Sequence, residues 1–378
     1  MRNQELDNLQ IQASTIWSET KRGTVILPTG HGKTFVALNC FINGGYTDML
    51  FLAETTLRRE NVLKDVGEYI KYKGVDPLEN KRFHFMCYQS LYKMDNLSFP
   101  PTTLVICDEI HDMLTPKYIR CAELISKYDV LGLSATVSAK KKDGVSKRDM
   151  LQSINIPPVY EYSLSESLEK GTSRNLEIHI IRVPLGTSNN VHIKTKTAEF
   201  VTSEAKNYAY LTEQCRKAIY MKNEFLIKRI AFQRASMLYN LKSKMPIVKN
   251  LLHHLSDKRG IIYGNSIEML TELCPHVIHN KNKNNQKLLD DMNEFKFNHI
   301  GGFKMLEQGQ NIKSLDFVLL TSYFSTDKQF LQRVGRLRFS GETGHVYILC
   351  TIGTKEEDWL NNMLMGVPNI KITNDAVF

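Results

Sequence analysis

The chain lacks the features that mark membrane and exported proteins. No run of about 18 apolar residues occurs, and the N-terminal MRNQELDNLQ holds no apolar signal region, so neither a membrane span nor secretion is indicated. An intracellular protein is expected. Seven cysteines, at 40, 87, 107, 121, 215, 274 and 350, include no C-x-x-C pair. This argues against a zinc ribbon or a disulfide framework and leaves reduced core residues as the expectation. Cys274, His276 and His279 lie close in sequence but lack a fourth metal ligand in register, so they too read as core and loop residues. There is no internal repeat and no low-complexity tract. The first glycine of the strict phosphate-loop pattern, G-x-x-x-x-G-K-S/T, is also missing, because Leu27 stands in its place in LPTGHGKT (27–34).

What is present is an ordinary globular composition: 378 residues, 42% hydrophobic and 24% charged, a length that favours two domains. The net charge of +9 suits a polyanionic partner and equally a merely soluble basic surface. In the first half TVIL (24–27), DMLFLA (48–53), RFHFMCY (82–88), TLVICDE (103–109) and VLGLSAT (130–136) are near-continuous apolar runs bounded by polar or turn residues. Such runs are expected of strands buried on both faces of a parallel sheet. Turn chemistry near GTSRN (171–175) places a domain boundary at about 170. Beyond it EIHIIRVPL (177–185), a helical region at about 196–256, GIIYGN (260–265), HIGGFKM (299–305), DFVLLTSY (316–323) and HVYILC (345–350) repeat the architecture. The fold class is therefore α/β, with domains at 1–170 and 171–378.

The stretch PTGHGKT joins a strand to an apolar helix start, the setting a phosphate loop requires. Gly30 and Gly32 free backbone amides to face phosphates, with Thr29 and His31 in the same loop, while Lys33 can reach the β- and γ-phosphates. Thr34 can offer its hydroxyl to Mg²⁺. Leu27 costs this reading little, since it ends the strand where a side chain can be buried. VICDEIH (105–111) then puts Asp108 and Glu109 at the C-terminal end of a buried strand, where α/β sheets place their ligands. Asp108 would hold Mg²⁺, and Glu109 would orient or deprotonate water.

With these two motifs in place the chain resembles the superfamily 2 helicases of the DExH type. LDNLQIQA (6–13) is similar to the family segment whose glutamine, here Gln10, reads adenine, and PTGHGKT to the family's phosphate loop, which does not require the first glycine. FLAETTLRREN (51–61), without the usual proline, and CYQSL (87–91) resemble segments that touch the nucleic-acid backbone, implying Thr55, Arg58, Gln89 and Ser90 as contacts. DEIH (108–111) resembles the signature proper and SAT (134–136) the link between ATP state and strand grip, with His111, Ser134 and Thr136 as coupling residues. GIIYGNSIEML (260–270) resembles the opening of the second RecA-like domain. MLEQGQNIKSLDFVLL (305–320) resembles a nucleotide-facing motif that implies Gly309, with Gln308 inserted before it. QRVGRLR (332–338) resembles the arginine helix, implying Gln332 at the nucleotide and Arg336 and Arg338 as fingers. GRLRF sets Arg338 one residue early and Phe339 where the family has its second arginine.

The resemblance implies two RecA-like domains, ATP and Mg²⁺ as cofactors, ATP in the interdomain cleft, and a nucleic-acid-dependent ATPase. DNA is favoured over RNA because the motifs look closest to phage and repair helicases that remodel branched DNA. The compartment implied is bacterial or phage-infected cytoplasm, with no membrane partner and little beyond the motor core. An RNA helicase, a duplex-translocating subunit of a larger complex, and a non-enzymatic binding protein are the alternatives. The segment from Arg216 to Arg259 carries eleven Lys and Arg against Glu224 and Asp257. Leu226, Ile230, Ala231, Met237 and Leu238 recur at helical spacing and should pack inward. Lys228, Arg229 and Arg234 then become candidate nucleic-acid contacts, with a plain solvated face as the competing reading.

Overall fold

The ten apolar runs become strands of two parallel sheets, five of them in each half of the chain. The structure, a computed structural model, describes residues 4–137, 144–170, 172, 174–194, 199–303, 312–323, 330, 333–335, 337, 343–365 and 370–374. The chain divides between residues 173 and 174 into two compact units.

The first unit holds β1 (Arg22–Ile26), β2 (Asp48–Ala53), β3 (Arg82–Cys87), β4 (Thr103–Asp108), β5 (Asp129–Ser134) and β6 (Pro158–Glu161). They form one parallel sheet in the order β3-β2-β4-β5-β1-β6. Side chains alternate between faces along a strand. Met49 and Phe51 of β2 accordingly enter one core, with Leu104 and Ile106, while Leu50 and Leu52 enter another, with Val105 and Cys107. Two cores on opposite faces are why these strands read as unbroken apolar runs. β3 departs from that expectation: its residues are half-buried at best, because an edge strand has a neighbour on one side only. The helix Gln4–Thr20 is pinned by the Trp17 indole, which donates to the Val130 carbonyl at 3.2 Å.

The second unit holds β7 (Leu176–Val183), β8 (Val191–Lys194), β9 (Glu199–Thr202), β10 (Gly260–Tyr263), β11 (Val277–Ile278), β12 (His299–Gly302), β13 (Phe317–Leu320), β14 (Gly344–Thr351) and β15 (Lys371–Thr373). Seven of them make a parallel sheet in the order β11-β12-β10-β13-β14-β7-β15, and β8 and β9 pair antiparallel. The region expected to be helical from about 196 thus begins with a strand. Phe200, Val201 and Thr202 favour extended backbone and find partners in β8. Helix starts after Ser203, whose hydroxyl accepts from the Lys206 amide at 3.2 Å. The helices Glu204–Tyr220, Glu224–Tyr239 and Lys244–His254 follow. Among the described residues no helix is long and apolar enough to cross a membrane.

Candidate active site

In a parallel sheet every strand ends on the same edge, so residues just past the C-terminal ends of β1, β2, β3, β4 and β5 share it. The phosphate-loop residues Thr29 to Lys33 follow β1, Thr55 follows β2, Gln89 and Ser90 follow β3, and Glu109 follows β4. Asp108 ends β4 and Ser134 ends β5. Leu27 is fully buried in the core, and its amide donates to the Ser134 carbonyl at 3.0 Å. The position where the strict pattern has glycine is therefore in the core, one residue past the end of β1. The turn itself is made by Gly30 and Gly32, whose φ of 96° and 73° are left-handed. Gly32 caps the eleven-residue helix Lys33–Asn43, which aims its amide end at the loop.

Lys33 bridges loop and acids. Its Nζ lies 3.7 Å from Glu109 Oε1 and donates to the Leu27 carbonyl at 3.4 Å. Glu109 has a φ of 47°, a conformation that costs a non-glycine residue of order 1 kcal/mol or more. Its other oxygen lies 3.3 Å from His111 Nδ1, and that same nitrogen is 2.8 Å from Ser134 Oγ. Ser134 gives its own proton to the Thr136 carbonyl at 2.8 Å, so it can only accept from His111, which puts a proton on Nδ1. His111 Nε2 lies 3.2 Å from Asp112. A line of ionic contacts and hydrogen bonds thus runs from Lys33 through Glu109, His111 and Ser134 to the Thr136 carbonyl.

Two residues occupy positions that differ from the sequence expectation. Arg58, read as a nucleic-acid contact, sends its guanidinium among the acids: Nε donates to Asp108 Oδ2 at 2.6 Å and Nη2 to Thr34 Oγ1 at 3.0 Å. Nη1 is 3.5 Å from Asp65, which accepts from the Thr34 hydroxyl at 2.7 Å. Burial works to lower the Arg58 pKa, but Asp108 and Asp65 outweigh it and hold the guanidinium firmly charged. Gln10, read as reaching the adenine edge, is buried and donates its amide to the His31 carbonyl at 2.9 Å, bracing the phosphate loop. The His31 ring is buried beside Tyr162, leaving its backbone to the loop. Asp65 was not anticipated. It shares a face of the helix Leu57–Lys73 with Arg58, seven residues earlier, and that spacing was the available signal. Tyr88, also missed, donates its hydroxyl to the Asp108 carbonyl at 2.8 Å and so ties the CYQSL segment to the acidic strand end.

The oxygen donors Thr34, Asp65 and Asp108 converge on a position already filled by positive charge, a donor set that fits a divalent cation such as Mg²⁺. Thr55 and Ser90 are exposed and Gln89 is half-buried, all on the same sheet edge.

In the second unit Lys228 and Arg229 are exposed on the helix Glu224–Tyr239, among the exposed Tyr220, Phe225 and Phe232, while Ile230 and Leu238 pack inward. Arg234 instead lies over the Tyr208 ring, 5.9 Å from its centre. Two of the eleven basic residues are internal. Lys244 is fully buried with Glu356, and Arg259 donates to the carbonyls of Met292 and Lys313 at 2.6 and 3.2 Å. Arg333 is buried as well, over the Tyr263 ring and donating to the Ser322 carbonyl at 3.1 Å. Gly309, Gln332, Arg336 and Arg338 lie outside the described residues. All seven cysteines are free thiols, six of them buried.

Known proteins match the chain on both sides of the division. The family model for the type III restriction enzyme res subunit matches residues 3–139, and that for the helicase conserved C-terminal domain matches residues 243–340. A DNA 3'-5' translocase, XPB2 of Sulfurisphaera tokodaii, is 24% identical over 350 residues, covering 88% of this chain and 78% of the relative. Among solved structures, the type ISP restriction-modification enzyme LlaBIII bound to DNA superposes with a TM-score of 0.62 at 14% identity over 99% of this chain. The chain spans only 31% of that enzyme. The helicase domain of Hef from Pyrococcus furiosus superposes with a TM-score of 0.51 at 15% identity, covering 95% of this chain and 98% of that one. The res-subunit model followed in order by the helicase C-terminal model, on two parallel α/β units and with the XPB2 relative spanning both, makes the chain a member of the superfamily 2 helicases with two RecA-like domains.

Proposed function

We propose that the chain is an ATP-dependent DNA helicase or translocase of the DExH type, which couples hydrolysis on its first unit to movement on, or remodelling of, DNA, branched DNA included. The observation that carries the reading is the polar chain from Lys33 through Glu109 and His111 to Ser134. It connects a phosphate loop to the segment after β5, so a change at the γ-phosphate has a physical route to a second loop. Lys33 would neutralise phosphate, and Glu109 would hold the attacking water and take its proton. Thr34 and Asp108 would hold Mg²⁺, whose chemistry is charge neutralisation at the phosphates. Arg58 must leave its place between them for that to happen. Gln10 and the backbone of Thr29 to Gly32 would shape the loop. Arg336, with Arg338 as the weaker second, would complete the charge on the phosphates from the C-terminal half. Thr55, Gln89, Ser90, Lys228 and Arg229 are the proposed nucleic-acid contacts, with Arg234 placed to support them.

DNA is favoured over RNA because the XPB2 relative is named a DNA translocase. The name translocase, and the 31% of LlaBIII that the chain spans, favour a second reading, movement along duplex as part of a larger assembly without strand separation. The test is ATPase rate beside strand displacement on forked DNA, forked RNA and blunt duplex. Stimulation by forked DNA with displacement supports the helicase reading, and stimulation by blunt duplex without displacement supports the second. Arg336→Ala should abolish stimulated hydrolysis with nucleic-acid binding kept, and Arg338→Ala should give a smaller loss. An ATPase that no nucleic acid stimulates would sink both readings.

A further inference from the structure

A second cluster of metal-competent side chains stands in the other unit, on the seven-stranded sheet. In the parallel register β7 and β14 set His345 beside Glu177 and Tyr347 beside His179. Residues two apart on a strand point to one face, so Glu177, His179 and His345 project together. Their donor atoms form a compact triangle: His179 Nε2 to His345 Nδ1 is 3.1 Å, Glu177 Oε2 to His179 Nε2 is 3.9 Å, and Glu177 Oε2 to His345 Nδ1 is 3.8 Å.

These edges decide what can sit between them. A triangle with these three sides has a point about 2.1 Å from every corner, and bonds from zinc to imidazole nitrogen and carboxylate oxygen are about 2.0–2.2 Å. Tetrahedral donors on such bonds stand about 3.4 Å apart, within the range of the observed edges. The surroundings are those of a ligand set. The remaining carboxylate oxygen, Glu177 Oε1, accepts from Lys371 Nζ of β15 at 2.8 Å, which orients Oε2 toward the histidines. The His179 ring stacks on Tyr347, their centres 4.9 Å apart, which fixes its plane. The His179 side chain is 14% exposed and that of His345 37%, so the cluster is walled by the sheet and open to solvent on one side.

We propose that Glu177, His179 and His345 bind a divalent transition-metal ion of the zinc class through two imidazole nitrogens and one carboxylate oxygen, with the fourth position left to solvent or an exogenous ligand. Imidazole with carboxylate selects zinc, cobalt or nickel over magnesium, so the site is chemically distinct from the all-oxygen set at Thr34 and Asp108. It joins β7 to β14 in the sheet and, through Lys371, orders β15. The inference does not depend on ATP hydrolysis.

The test uses the full chain with any affinity tag removed, treated with chelator and desalted. Zn²⁺ alone is titrated by calorimetry, and Co²⁺ is followed by its visible ligand-field absorption. The expected result is one equivalent bound, a tetrahedral cobalt spectrum, and a Tm raised by Zn²⁺. His179→Ala and His345→Ala should each weaken binding at least tenfold and remove the Tm response, whereas His276→Ala and Asp108→Asn keep both. Should His345→Ala not fold, Glu177→Gln serves, with weakened affinity as the expected outcome. Absence of stoichiometric uptake by the parent chain overturns the proposal. So does uptake that survives loss of His179, or that is lost in His276→Ala instead.

Discussion

Lys33 with Glu109 in the first unit and Lys244 with Glu356 in the second are both lysine–glutamate pairs, and the two are built oppositely. In the first unit Lys33 and Glu109 stand 3.7 Å apart with side chains 11% and 22% exposed, too far for a direct hydrogen bond. In the second, Lys244 donates to Glu356 at 2.7 Å with both side chains fully buried. Lys244 also donates to the Thr321 carbonyl at 3.0 Å, and Glu356 accepts from the Thr351 amide at 2.9 Å. The buried pair is thus satisfied on both sides and joins the helix Lys244–His254 to the ends of β13 and β14. A pair that is closed cannot exchange partners, whereas a loose one can give its lysine to phosphate and its carboxylate to water. On the proposed reading the same two residue types serve stability in one unit and chemistry in the other, and distance with burial separates the roles.

This contrast can be broken most sharply at Glu109. Glu109→Gln should lower nucleic-acid-stimulated ATP turnover by about 10²–10⁴-fold with nucleotide binding and thermal stability retained, whereas Lys33→Ala should weaken nucleotide binding itself. Turnover at the parental rate in Glu109→Gln removes the catalytic assignment. The buried pair should respond in the reverse way. Lys244→Ala leaves the Glu356 carboxylate without its partner and should cost about 3–5 kcal/mol of stability in denaturant titrations. Replacing both partners, Lys244→Met with Glu356→Leu, should recover most of that loss. A double variant as unstable as the single one would show that the pair does more than satisfy its own charges.

Smaller effects sharpen the picture at the surface. Reversing the charge of Lys228 and Arg229 should weaken DNA binding across sequences and flatten the slope of log K against log salt by about 0.9 for each phosphate no longer neutralised. Unchanged affinity and slope return this helix face to plain solvation. Gln10→Ala should cost about 1 kcal/mol or more, read as weaker ATP binding or a lower Tm, because the neutral hydrogen bond to the His31 carbonyl is removed. Loss of preference for ATP over GTP in the same variant would restore Gln10 to the base.

The strands and the two motifs of the first unit were legible from the chain because their causes are local. β2 spans the run DMLFLA at 48–53 residue for residue, since the five consecutive apolar residues after Asp48 suit a strand covered on both faces. The phosphate loop is legible for the same reason, with its strand, its glycines and its helix start contiguous. β6, β11 and β15 were not, being four, two and three residues long and stabilised by neighbours rather than by their own pattern. The eleven basic residues of 216–259 looked alike, and only packing sent Lys244 and Arg259 inside.

By itself the sequence determined the α/β class, the paired architecture and the strand ends at which the glycine loop and the acidic residues stand, because backbone propensity and side-chain period act between near neighbours. Tertiary structure alone decided that Arg58 stands between Thr34 and Asp108, 50 residues away from the latter, and that Gln10 braces His31 across 21 residues. It also decided that His179 meets His345, 166 residues apart. In a parallel sheet the residues that meet are set by strand order and register, and those follow from how whole layers pack rather than from any one stretch of the chain.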